Sequence, residues 1–129
     1  MTKKSVTEFL KTFDPQVSEA IGVLSANFPE LANPFVERLY GDLYQRDTLT
    51  LRERLLITIA MLAASDKTDL QLPMQLGIAL KQGVRREELM EIALQISVFC
   101  GFASAMRLAI TIDTLADEFE ISQSLKTSV

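Results

Sequence analysis

The chain has 129 residues, 48% hydrophobic and 23% charged, which is one globular domain's worth and argues against disorder. Its 13 basic and 17 acidic residues leave a net charge of −4, without the basic excess that nucleic-acid binders use to neutralise phosphates. With no histidine and a single cysteine, Cys100, a Ser-His-Asp triad, a Cys-His pair, a His-based zinc site and an intrachain disulfide are excluded within this chain.

The segment Met1-Thr2-Lys3-Lys4 turns polar and acidic at Thr7 and Glu8, so no secretory signal is expected there. The most apolar run, Leu55 to Ala64, is far short of the about 20 residues a bilayer span needs. The expectation is a soluble, cytoplasmic protein, with the lone cysteine fitting a reducing compartment.

Asp14-Pro15 reads as an N-cap followed by proline in the first turn, opening a helix with Val17, Ala20, Ile21 and Leu24 on one face and ending near Asn27. Asn33-Pro34 repeats the signal and predicts a helix through Phe35, Leu39, Tyr40, Leu43 and Tyr44. Thr50 with Glu53 three residues later fits a capping box, opening a helix through Ala64 that is apolar nearly all round after Arg54. After the polar connection Ser65–Asp69, a helix over about Leu70–Gln82 carries Pro73 in its first turn and Gly83 as its stop.

The pattern from Arg85 to Cys100 is the clearest in the chain. Leu89, Ile92, Ala93, Ile96, Phe99 and Cys100 form one stripe, and Met90, Leu94 and Val98 a second. Gly101 breaks this helix. The last one, Ser104 to about Phe119, is again double-striped, with Met106, Ala109 and Ile110 on one side and Leu108, Ile112, Leu115 and Phe119 on the other. No sustained period-2 alternation predicts a sheet. The expected architecture is one all-α domain over residues 1–129, a bundle of about six helices. It has more apolar helix surface than one small subunit hides, so a homo-oligomer is expected.

Several pieces recur in a telling order. Leu51-Arg52-Glu53-Arg54-Leu55-Leu56 opens the long apolar helix that ends Met61-Leu62-Ala63-Ala64. Ala79-Leu80-Lys81-Gln82-Gly83-Val84 and Glu87-Glu88-Leu89-Met90-Glu91 follow, and Phe99-Cys100-Gly101-Phe102-Ala103-Ser104-Ala105 closes the series. From Leu49 to Ala116 the chain resembles the carboxymuconolactone decarboxylase family, which includes the AhpD-like alkylhydroperoxidases. The resemblance implies an all-helical fold assembled into dimers to hexamers with active sites between subunits. It also implies one of two chemistries: decarboxylation of a carboxymuconolactone in aromatic-compound catabolism, or peroxide reduction by a cysteine pair. No cofactor is implied.

The departures narrow this. Where the resemblance places a histidine stands Gln75, which can orient a substrate but takes up no proton near neutral pH. Where AhpD-like members carry Cys-x-x-Cys stand Thr68 and Gln71, so dithiol peroxidase chemistry is rejected. Glu53 is the position carried over as acid or base, and its other reading is a helix cap. Arg52 and Arg54 either bind a substrate carboxylate or sit on a solvated helix start. Cys100 is the one thiol, and its place on the apolar stripe makes packing its expected job. Arg107 is a surface charge or an interface ion-pair partner. Met61, Met74, Met90 and Met106 read as core filling rather than as a ligand pocket.

Two functions remain. One is a lyase of this family, acting without metal or cofactor on a small carboxylated lactone or related acid. The other is a non-catalytic oligomeric helical scaffold or small-molecule binder that has lost the proton-transfer histidine. A third use of the apolar stripes is a larger complex with another protein.

Overall fold

The computed structural model describes residues 3–12 and 15–127, and Asp14, predicted as an N-cap, lies outside them. Among the described residues the chain is helical with no strand, as α1 (Val6–Leu10), α2 (Pro15–Asn27), α3 (Pro29–Leu39), a 3-10 turn at Leu43–Gln45, α4 (Leu51–Ala64), α5 (Gln71–Lys81), α6 (Arg86–Phe99) and α7 (Phe102–Thr127). It divides into two compact units, Met1–Arg54 and Leu55–Val129. None of the described helices is long and apolar enough to cross a membrane.

In the first unit, α1 was not expected from the sequence. Its signal is Ser5 followed by Glu8: the Ser5 hydroxyl accepts the Glu8 backbone N–H at 3.2 Å. The segment before it is tied down by Gln45, whose amide behaves as a peptide would. Its Oε1 accepts the Lys4 N–H at 2.6 Å, and its Nε2 donates to the carbonyls of Lys4 and Tyr40 at 2.8 and 2.9 Å. Asp42 adds ion pairs to Lys3 and Arg38.

α3 corrects the predicted start at Asn33-Pro34. Pro29 already stands in the first turn and the Ala32 N–H bonds the Phe28 carbonyl at 2.8 Å, so the chain is helical before Asn33 is reached. Pro34 therefore lies inside the helix, where it can make no bond to the Glu30 carbonyl, and both residues are exposed so that water replaces it. The helix also ends earlier than predicted, at Leu39, because Gly41 next to its cap is a poor helix former. Tyr40 and Tyr44 are nonetheless both buried, packed edge to face with ring centroids 5.6 Å apart.

In the second unit, α7 packs against α6 and α5 around Leu72, Leu76, Leu89, Leu108 and Ile112, all essentially inaccessible to water. α5 stops as expected. Gly83 takes φ +90°, its N–H bonds the Leu80 carbonyl, and the next N–H, of buried Val84, bonds the Ala79 carbonyl. Gly101, at φ +105°, makes the sharp α6–α7 corner. α7 runs eight residues beyond the predicted end at Phe119, since nothing between Glu120 and Thr127 is glycine or proline.

The double stripes of α6 and α7 resolve unequally. Leu89, Ala93 and Ile96 of α6 and Leu108 and Ile112 of α7 are buried, whereas Leu94 and Val98, and Met106 and Ile110, face outward. Phe99 and Cys100, placed on the inner stripe by the sequence pattern, are exposed too, because the helix ends there and the corner swings them off the core. Of the four methionines read as core filling, Met74 and Met90 are half-buried, but Met61 and Met106 stand at the surface.

Candidate functional site

The start of α4 is built as the Thr50–Glu53 spacing predicts. The Thr50 N–H donates to Glu53 Oε1 at 2.8 Å, and Thr50 Oγ1 accepts the Glu53 N–H at 3.1 Å, so two otherwise orphaned helix donors are satisfied reciprocally. The Glu53 carboxylate is exposed. The Thr50 backbone N–H, then the Thr50 side chain, hold its pKa below the usual glutamate value of 4.5, against a smaller opposing desolvation. Glu53 is therefore a fixed anion at neutral pH, a weak base and a poor proton donor.

Arg52 and Arg54 flank Glu53 on the same first turn and are both half-buried. Successive helical residues diverge by about 100° and do not face each other, so the three side chains leave the helix in different directions. Gln75 belongs to the second unit, on the inner face of α5, where it is fully buried. Its Nε2 lies 3.5 Å from Gln71 Oε1, one turn earlier on the same helix. Cys100 is exposed at the end of α6.

Two clusters went unnoticed in the sequence. Asp66 is the only described residue other than glycine with a positive φ, at 59°, and sits just past α4. Its N–H bonds the Ala63 carbonyl and the next N–H, of Lys67, bonds the Leu62 carbonyl, a helix stop that glycine would make with less strain. The carboxylate supplies what glycine lacks: Oδ1 accepts the Ser104 hydroxyl at 3.0 Å and Arg107 Nη2 at 2.6 Å, fastening the α4–α5 connection to the first turns of α7. Arg107 thus has its partner within its own unit. The other cluster is Arg86 at the start of α6, whose guanidinium bridges Asp113, Asp117 and Glu120 along α7. The acidic spacing of four and three residues was legible as a helix stripe; its partner was not. Among the described residues no group of three or more carboxylates and thiols is arranged to hold a metal ion.

Three carboxylates are held below their ordinary values: Asp66, chiefly by Arg107 and then Ser104; Asp42, chiefly by Lys3; and Glu53, by Thr50. A depressed pKa means the folded state binds the proton less readily than the unfolded chain. The stability these groups add is complete above their ordinary values of 3.8 and 4.5 and is lost as pH falls through the depressed ones. Denaturant midpoints should accordingly fall between pH 6 and pH 3, and the fall should be smaller in Arg107→Ala, which releases Asp66. Thr50→Ala should cost about 1 kcal/mol at pH 7 through loss of the cap. At Asp66, asparagine, which tolerates the left-handed backbone and keeps an acceptor, should be the mildest replacement and leucine the most damaging, read as a ranking of melting temperatures.

No curated protein matches the chain. The family model of the carboxymuconolactone decarboxylase family matches residues 29–112, from the first residue of α3 to the middle of α7. That span takes in Glu53, Gln75 and Cys100 and reaches further toward the N-terminus than the motifs that carried the resemblance. The chain belongs to the carboxymuconolactone decarboxylase family.

Proposed function

We propose that this member of the family is a self-associating helical scaffold that binds a small carboxylated molecule without turning it over. The observation that carries this reading is the state of Glu53: its carboxylate is committed to capping its own helix, exposed, and ionised well into the acid range. A chain with no histidine has no other group tuned for proton transfer near pH 7 at the matching positions, where Gln75 stands instead. Self-association is supported by the outward apolar side chains of α6 and α7. The single cysteine supports a cytoplasmic setting.

Decarboxylation is the second reading, favoured by the family match and by two half-buried arginines beside a carboxylate. In it, the bond from the bound acid's carbon to its carboxylate breaks, carbon dioxide leaves, and a proton drawn from water by way of Glu53 reaches the carbon left behind, with Arg52 or Arg54 gripping the substrate. A turnover assay on 4-carboxymuconolactone decides between the two. The scaffold reading expects no rate above buffer, and a rate that Glu53→Gln removes would overturn it.

A further inference from the structure

Within the first unit, α1, α2 and α3 frame an open cleft of about 470 Å³. Clefts of roughly 300 to 1,000 Å³ are the size that takes small molecules. Two of the three walls, α1 and α2, precede the span matched by the family model. The floor is apolar, with Leu10, Ile21 and Val36 contributed by one helix each and all buried. Around that floor two helices present a polar side. Ser18, Gly22 and Ser25 follow at intervals of four and three residues on α2, and Asn33 and Glu37 at four on α3, so each set shares one side of its helix. Among the described residues Glu37 is the only charged one in the lining.

These polar groups are not engaged with the protein. Elsewhere helical hydroxyls turn back onto their own backbone: Ser97, Thr111 and Thr114 donate to carbonyls three or four residues earlier. Among the described residues the side chains of Ser18, Ser25 and Asn33 make no such bond. Glu37 has no ion pair there, although Arg38 beside it is paired with Asp42. The Glu37 carboxylate is also placed. A Cβ at Gly41 would lie 2.9 Å from Glu37 Oε2 and 3.3 Å from Val6 Cγ2, so the carboxylate stands over bare glycine backbone at the α1 edge of the cleft.

We infer that this cleft binds a small primary ammonium ion carried on an aliphatic chain. An ammonium group has three N–H donors and no acceptor, which suits a carboxylate with an amide oxygen and hydroxyls nearby. The aliphatic chain lies along the apolar floor. A carboxylated ligand would meet Glu37 with like charge, so this site is distinct from the one in the proposed function and does not rest on it.

Chemical-shift titration of the full chain at pH 7 with hexylammonium, hexanol and hexanoate tests this, with helix content checked by circular dichroism. Hexylammonium should bind about fivefold more tightly than hexanol, and hexanoate more weakly than either. Glu37→Gln, at an exposed position, should weaken hexylammonium about fivefold and leave hexanol unchanged. Glu118→Gln, which removes an exposed carboxylate of the second unit, should change neither. Gly22→Leu should abolish binding of all three. Nothing lies within 4 Å of where a Gly22 Cβ would stand, so leucine fills the cleft, and it forms helix better than glycine. The inference is overturned if hexylammonium does not bind at millimolar concentration, or if its affinity survives Glu37→Gln or Gly22→Leu. A loss in Glu118→Gln as large as in Glu37→Gln would overturn it too, because the attraction would then be to the chain's net charge.

Discussion

Leu108→Ala should destabilise the protein by about 2 to 5 kcal/mol, the range for truncating a fully enclosed leucine. Leu108 has no solvent exposure and lies on α7, which packs against both α5 and α6. The loss combines the transfer free energy of three carbons with the cavity they leave, because the fully buried neighbours Leu76, Leu89 and Ile112 collapse into it only in part. Set against the about 5 to 15 kcal/mol that a domain has in total, this is a large share. Glu118→Ala, on the exposed side of the same helix, should change stability by less than about 0.5 kcal/mol. Urea unfolding at pH 7 measures both, and a loss under about 1 kcal/mol at Leu108 would mean that α7 is not packed as described.

The larger effect is expected at Gln75. Gln75→Glu places a carboxyl group where the structure leaves no solvent exposure at all, and burial disfavours the charged form, raising its folded pKa above the unfolded value of about 4.3. The sign follows from linkage: the folded variant holds the proton more tightly than the unfolded one. Its deficit relative to wild type is smallest below about pH 4 and grows by about 1.4 kcal/mol per pH unit until the raised pKa is reached. By pH 8 the deficit should be on the order of 3 to 5 kcal/mol. Paired urea titrations from pH 4 to pH 8 read this directly. A deficit that does not change with pH would mean that the side chain at position 75 reaches water, which would favour a substrate-orienting role for Gln75.

The parts of the fold that proved legible were those whose signals are local. Thr50 and Glu53 make their box because both partners lie within one turn, and Gly83 stops α5 because its positive φ is a property of a single residue. Asn33-Pro34 misled for the same local reason: the pair carries a start signal, but Pro29 had begun the helix five residues earlier. What stayed hidden depends on distant partners. Nothing near Asp66 in sequence announces Ser104 and Arg107, and nothing near Arg86 announces Asp113 or Asp117. Periodicity put Phe99 and Cys100 on the inner stripe of α6 and Gly101 marked the break, yet neither signal reports that both side chains are left exposed at that corner. The site was legible in residue type and less so in state. Glu53 could be read from the sequence as a candidate acid or base, whereas its exposure could not.

The mass of the wild-type chain in solution tests the central claim most directly, since the surplus of outward apolar helix surface underlies the proposed function. Light scattering at micromolar concentration should return a multiple of 14.4 kDa that falls on dilution. A mass of 14.4 kDa at every concentration, with Phe99, Phe102 and Met61 permanently in water, would contradict it.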